Sequence, residues 1–497
     1  MSNSKSGPGF WSVEAICQNT PWFIIGYFVL HYLLRISLSS NLESGESQLV
    51  GATDWQLLYN SINPPLYNWL SRIMLELTAW NWHLAVPLLK NLLLMATFLL
   101  GYDLVRRISG SRISATVAVV GLMLIPQVAW QFQVSFTHSV LGAFAVVSVL
   151  HAFALMAERG TWGDYIWFAL AFSVGTLAKF NFFLFMGAFF IAIIIHARGR
   201  KILKRGRSLV SLIVYLSLTG PVLYAVIIHL KQSSERMQKL YNGSRLEQWV
   251  DLPYLGIDGS IAMLIAILGS VGILLLTYLV AYKKSPVTEA MPSLNITDSL
   301  DMYTRILTST IIIGLSVFLL IVFFGDMHNV NARYLTPLLI LTPFLLALKW
   351  PISRKREAVK AVLWFAAVII PTVYMGIIVQ TLLGGNSLAI PYRDIAASIE
   401  KKYGPRLAIK ALLNEDAGNL VINLPAAKNY TREAASEKVL MVWRSAHNNE
   451  QLKKDTSSLK ETHTADQEVF IVKRAYRFGA REDEEFVIKS QLYTARK

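Results

Sequence analysis

Through about residue 382, long apolar runs alternate with short polar breaks, and after it the long runs stop. The runs are roughly 17 to 24 residues, each able to cross a hydrocarbon core about 30 Å thick. They predict helices over roughly 20–37, 83–101, 113–131, 138–157, 164–179, 181–197, 208–230, 259–282, 306–324, 334–350 and 359–382. The fifth and sixth are short and separated only by Lys179 to Asn181, which predicts a tight hairpin. In the tail, 394–403 (DIAASIEKKY) has helical spacing, whereas 439–444, 468–478 and 484–493 are rich in β-branched and aromatic residues and read as strands. The expected architecture is a polytopic α-helical membrane domain over 1–382, with about eleven spans, followed by a small α/β domain over 383–497 that is long enough for its own core.

Composition supports a membrane class. Hydrophobic residues make up 54% of the chain and charged residues 16%, where a soluble protein carries about a quarter charged residues. The net charge of +15 invites a nucleic-acid reading, which the distribution removes. Lys and Arg gather in alternate short loops: Arg106, Arg107 and Arg112, then 198–207, then Lys283 and Lys284, then 349–356. By the positive-inside rule these loops are cytoplasmic. That puts the N-terminus inside and the C-terminus in the periplasm of a bacterial inner membrane, with the first run an uncleaved anchor. The one cysteine, Cys17, excludes an intramolecular disulfide and a multi-cysteine metal site. No motif indicates a metal or nucleotide cofactor. The stretch 283–305, with Pro286 and Pro292, reads as a linker, and 231–258 as a second outer segment of mixed charge.

Candidate chemistry concentrates on the outer side, first in the loop 37–82. Glu43, Glu46 and Asp54 are carboxylates suited to removing a proton from an acceptor hydroxyl, although a solvated acidic loop looks the same. Asn63, Pro64, Pro65, Tyr67 and Trp69 follow, with the prolines fixing the backbone and the aromatic rings placed to stack on a sugar or to anchor the interface. Lys179 and Asn181 lie in the expected hairpin turn. A lysine there, away from the basic loops, either snorkels or meets an anion such as a lipid phosphate. His328 and Arg333 occupy another outer turn, where Arg333 can grip phosphate oxygens with two donors and Asp326 is a candidate partner for it.

In this order these motifs resemble the family 39 type of membrane glycosyltransferases. The resemblance rests on an acidic outer loop, PPLYNW (64–69), THSV (137–140), LAKFNFFLF (177–185) and H-x-x-x-x-RYLTPLL from His328, and it covers about residues 20–350. That group includes protein O-mannosyltransferases, lipid A aminoarabinose transferases and rhizobial lipopolysaccharide galacturonosyltransferases. The resemblance implies a GT-C fold and a polyprenyl-phosphate sugar as donor. It further implies a lipopolysaccharide, lipid or protein acceptor and one inverting displacement assisted by a carboxylate base. The family's Asp-Glu-Ala-Glu-like stretch falls on Glu43-Ser44-Gly45-Glu46, where its leading Asp is either replaced by Glu or displaced, and Glu43, Glu46 and Asp54 all remain candidates for the base. Many relatives carry a basic residue where this chain has Asn63, which shifts phosphate binding toward Lys179 and Arg333, with His328 beside them. A lipid or polysaccharide transporter is the competing reading, but it predicts midplane charges in two related halves, and no halves repeat.

Overall fold

Caps supplied by the sequence set several of the helix ends. The structure, a computed structural model, describes residues 12–52, 54–59, 63–228, 256–284, 298–325, 327–328, 330–350, 355–384, 386–424, 426–429, 438–444, 452, 456, 459, 463–466, 468–475 and 485–495. The expectations for residues 231–255, for the linker stretch 285–297 and for Asp326 lie outside the described residues.

Helix α1 (Val13–Leu38) starts where the Ser12 hydroxyl accepts from the Ala15 N–H, and α4 (Trp82–Ser109) where the Asn81 side chain accepts from Leu84. Between them the expected outer loop holds two short helices, α2 (Ser44–Ser47) and α3 (Leu66–Leu77). The Pro-Pro pair does not stand as a separate rigid platform: Pro65 is the N-cap of α3, a position where a missing N–H costs nothing.

The third expected span is broken. Helix α5 (Arg112–Met123) gives way near Pro126 to a π turn (Gln127–Gln131) and α6 (Phe132–Val134), at an angle of 73°. Helices α7 (Thr137–Glu158), α8 (Trp162–Ala178) and α9 (Phe182–Ile195) follow, and α8 and α9 form the expected hairpin. At its base a Cβ on Gly175 would lie 2.2 Å from the Phe182 ring, so only glycine fits. Helix α10 (Ala197–Leu203) turns 108° from α9. The bundle is completed by α11 (Ser208–Ile228), α12 (Ile257–Lys284), α13 (Asp298–Phe324), α14 (Ala332–Leu339), α15 (Thr342–Lys349) and α16 (Arg356–Leu382).

Among the described residues, eight helices or nearly continuous helix pairs are long and apolar enough to cross a membrane, and ten when each bent pair counts as one span. The 17-residue α8 lies between two of them, which agrees with about eleven expected spans. Helix α7 is the hub. It is buried along almost its whole length and packs on α4 and α8, and it is rich in Ala and Ser, small residues suited to helix–helix contacts in a membrane.

Beyond α16 a small sheet domain begins. Helix α17 (Tyr392–Tyr403) matches the expected helix, and β3 (Lys438–Arg444), β5 (Phe470–Ala475) and β6 (Glu485–Ala495) match the expected strands. Strands β1 (Ala408–Ala411), β2 (Lys428–Asn429) and β4 (His463–Ala465), with helix α18 (Asn414–Asn423), complete it. The order is β2-β1-β3-β6-β4, with β5 also on β6. β1 pairs in parallel with β2 and β3, and the β6 pairings are antiparallel. In β3, Leu440 and Val442 face a core with Ile395, Ile399 and Leu420 of α17 and α18, while Val439 and Met441 face a second core with Tyr493 and Leu459. A strand buried on both faces reads as the unbroken apolar run VLMV.

Candidate active site

The carboxylate loop is held by its first helix. Arg35, in the last turn of α1, is buried and donates to the Ser39 carbonyl at 3.2 Å and the Asn41 carbonyl at 2.8 Å. This folds the chain back so that Glu46 meets the same guanidinium, Nη2 to Oε2, at 3.0 Å. The other Glu46 oxygen lies 2.5 Å from Nζ of Lys90 on α4, and Lys90 also donates to the Gln133 carbonyl at 3.0 Å. Both Glu46 and Lys90 are fully buried. Burial by itself would raise the Glu46 pKa, but Lys90 and then Arg35 outweigh it and lower it to about 2. Glu46 is therefore an ionised anchor between two cations.

Glu43 has a different environment. It is 5% exposed, forms a capping box with Glu46 in which its N–H donates to Glu46 Oε2 at 3.0 Å, and makes no ion pair among the described residues. Burial dominates and raises its pKa to about 7, with Arg35 opposing and Glu46 reinforcing the rise. A carboxylate poised near neutrality can accept a proton and release it again. Asp54 stands apart from this pair: it is exposed, and its backbone carbonyl accepts from the Tyr59 hydroxyl.

The first turn of α7 joins this loop to the cations of the hairpin. Thr137 donates to the Gly45 carbonyl at 3.3 Å, and two residues on, Ser139 accepts from Lys179 Nζ at 2.6 Å. A Cβ on Gly45 would fall 1.7 Å from the Ser135 carbonyl oxygen, so this contact needs glycine. Asn181 donates from its side chain to the carbonyls of Arg333 and Tyr334, each at 3.1 Å. Lys179 and Arg333, expected together from sequence, thus come from turns that are directly tied. Arg333 is exposed, with its guanidinium 5.2 Å from the Tyr334 ring. His328 lies farther along that turn, Nδ1 at 3.9 Å from Asp258 of α12.

Tyr67 is fully buried with its ring 5.3 Å from His138 and packs within the main core. Trp69 is half-buried and donates from Nε1 to the Gln56 carbonyl at 2.9 Å, pinning the loop that carries Asp54. Pro64 and Pro65 are buried and Asn63 is half-buried beside them. Among the described residues, no three His, Cys, Asp or Glu side chains gather to hold a metal ion.

Arg35 and Lys90 are the functional-site residues that sequence reasoning missed. A signal was present, because a lysine within an apolar run and an arginine at the outer end of the first span are both costly without an anionic partner.

Comparison with known proteins agrees with this architecture. Residues 63–224 match the family described as Dolichyl-phosphate-mannose-protein mannosyltransferase. The chain is 25% identical over 411 residues to the lipopolysaccharide core galacturonosyltransferase RgtB of Rhizobium johnstonii, covering 81% of this chain and 80% of that one. It is 28% identical over 325 residues to RgtA of the same organism, covering 64% and 62%. The fold is similar to that of ArnT from Cupriavidus metallidurans bound to undecaprenyl phosphate, with a TM-score of 0.54, 11% identity and coverage of 94% and 97%. The chain is a membrane glycosyltransferase with a GT-C fold. Its likeness to the mannosyltransferase family is confined to residues 63–224, and the comparisons favour a glycosyltransferase over a transporter.

Proposed function

We propose that the protein transfers a sugar from a polyprenyl-phosphate donor to a lipopolysaccharide or related lipid acceptor at the periplasmic face of the inner membrane, with inversion and with Glu43 as the general base. The observation that carries this is the contrast between the two buried carboxylates: Glu46 is locked between Arg35 and Lys90, while Glu43 pairs with no cation among the described residues and has a pKa raised to about 7. In the reaction Glu43 takes the proton of the acceptor hydroxyl as that oxygen attacks the anomeric carbon. The bond from that carbon to the phosphate oxygen breaks, and the phosphate leaves with the negative charge. Lys179 and Arg333 supply positive charge for the leaving group, with Asn181 holding their turns together. The relatives named lipopolysaccharide core galacturonosyltransferases and the ArnT structure with undecaprenyl phosphate support this donor and acceptor chemistry.

The test uses purified full-length protein, labelled galacturonic acid on polyprenyl phosphate as the first donor, and extracted envelope lipid. Label should pass to the lipid with inverted anomeric configuration. Glu43→Gln should lower kcat by roughly 100-fold or more, the scale of general-base contributions, with little change in donor binding. A wild-type rate for Glu43→Gln would move the base to Glu46 or Asp54. Label appearing only on a protein acceptor would replace the lipid reading.

A further inference from the structure

A second constellation lies at the other end of α7, outside the site above. Here Arg159, Gly160 and Trp162, just after α7, meet Arg205, Gly206 and Arg207, all but Gly160 exposed, around an open surface pocket of about 580 Å³. Among the described residues, three guanidinium groups share this corner with the carboxylate of Asp164, which pairs with Arg159 and is almost wholly buried. The neighbouring Glu158 turns to Arg107 instead, at 3.1 Å. Arg205 and Arg207 pair with no carboxylate among the described residues; Arg205 donates to the Met156 carbonyl at 3.3 Å and Arg207 to that of Gly160. These contacts fix the guanidinium groups without neutralising them, and the Arg207 guanidinium is also held 5.3 Å from the Trp162 ring. Gly160 has φ +63, a conformation that favours glycine, and Nη1 of Arg205 occupies the space a Cβ there would fill. A basic loop that only records membrane orientation requires no such ordering.

Beside this corner opens an apolar groove of about 250 Å³ lined by Met156, Phe168, Phe172, Leu203, Leu212 and Tyr215. The same two segments, the end of α7 and residues 203–212, line both spaces. An ordered cationic pocket joined to an apolar groove matches a headgroup phosphate joined to an acyl chain.

We propose that the arginine corner and this groove form a binding site for one anionic glycerophospholipid, on the leaflet opposite the carboxylate loop. The phosphate lies among Arg159, Arg205 and Arg207, and an acyl chain lies between α8, α9 and α11. The charge surplus selects an anionic headgroup over a zwitterionic one, and the groove selects a lipid over free phosphate.

Native mass spectrometry of the full chain in detergent tests this. On the wild-type chain, dioleoyl phosphatidylglycerol should bind at least about tenfold more tightly than dioleoyl phosphatidylcholine, a headgroup-charge effect of the size expected for ordered arginines. Neither dihexanoyl phosphatidylglycerol nor inorganic phosphate should displace it at matched concentration. Arg205→Gln with Arg207→Gln should erase the headgroup preference and leave phosphatidylcholine binding unchanged. Equal binding of the two dioleoyl lipids, or a preference that survives the double substitution, would overturn the proposal. Displacement by inorganic phosphate or by the short-chain lipid would reduce the site to an anion pocket and overturn it too. The wild-type comparisons decide the matter even when the double variant fails to fold.

Discussion

Glu43 and Glu46 are three residues apart, yet their surroundings push their proton affinities in opposite directions, with different consequences for activity and for stability. The base form of Glu43 is the ionised one, so turnover should rise with pH through about 7 and level off above it. A kcat profile that stays flat between pH 5 and 8 would remove Glu43 from the base role. In the unfolded chain this carboxyl titrates near 4.5. Because the folded value is higher, folding favours the protonated form, and the ionised form costs stability progressively as pH rises from about 4.5 to 7. Glu43→Gln should therefore raise the melting temperature at pH 8 by several degrees, on the order of 3 kcal/mol, and have little effect at pH 4.5. Glu46 is the reverse case. Its pKa is lowered to about 2, so its contribution is present above about 4.5 and disappears as pH falls toward 2. Glu46→Gln strands Arg35 and Lys90 beside a neutral amide, and should destabilise the fold by roughly 3–5 kcal/mol at neutral pH. A melting temperature unchanged in that variant would contradict the anchor role. The two acids were legible in the sequence as a pair, but their division of labour was not, because it is set by Arg35 and Lys90 on two separate helices.

At the scale of elements, the carboxylate loop is held from two sides. From the bundle, the first turn of α7 reaches Gly45 and Lys179. From the tail, α18 grips the residue just before Glu43: Leu42 donates its N–H to the Asn419 side chain at 2.7 Å, and Asn419 donates back to the Leu42 carbonyl at 2.9 Å. Gly418 completes the contact, since a Cβ there would come 2.3 Å from the Ser47 carbonyl oxygen. Asn41 reinforces it by donating to the carbonyls of Ser387, at 2.9 Å, and Ile390, at 2.6 Å. Asn419→Ala leaves a buried N–H and carbonyl of Leu42 without partners, at a cost of about 1–3 kcal/mol. It should also lower kcat more than it changes donor KM, because it loosens the base and not the phosphate site. An equal loss in both parameters would argue against this positioning role. Lys179→Ala and Arg333→Ala should instead weaken donor use, with Lys179→Arg partly tolerated. Donor binding unchanged in both alanine variants would separate these cations from the phosphate. The pairing of the Lys179 and Arg333 turns was readable as two outer-face motifs. The grip of the tail on the loop was not, because residues 42 and 419 meet only through the fold, and neither Asn419 nor Leu42 stands out by residue type.

Viewed as a whole, the molecule has two chemically unlike ends joined by α7. Its 22 residues span roughly 33 Å at 1.5 Å per residue, about one hydrocarbon thickness. Thr137 at one end contacts the carboxylate loop, and Arg159 just beyond the other opens the arginine corner. The spans were legible because their apolar runs are long. The break near Pro126 and the 108° turn after α9 were not, since hydropathy reports the length of a run and not its straightness. The sheet domain was only half legible: β3, β5 and β6 carry continuous apolar or aromatic patterns, whereas β1, β2 and β4 are four, two and three residues long, too short for a period to show. Charge asymmetry along the same axis leads to the last prediction. The loops 105–112 and 198–207 carry arginine and lysine at the end away from Glu43 and Glu46, and the positive-inside rule places such loops in the cytoplasm. The carboxylate loop and the sheet domain it contacts must then share the periplasmic side. Alkaline phosphatase, active only outside the cytoplasm, should be active when fused at Lys497 and inactive when fused after Arg205. The opposite pattern would invert the molecule in the membrane. The carboxylate site would remain intact, but it would have to draw donor and acceptor from the cytoplasmic leaflet, where a lipopolysaccharide acceptor already exported to the periplasm could not reach it.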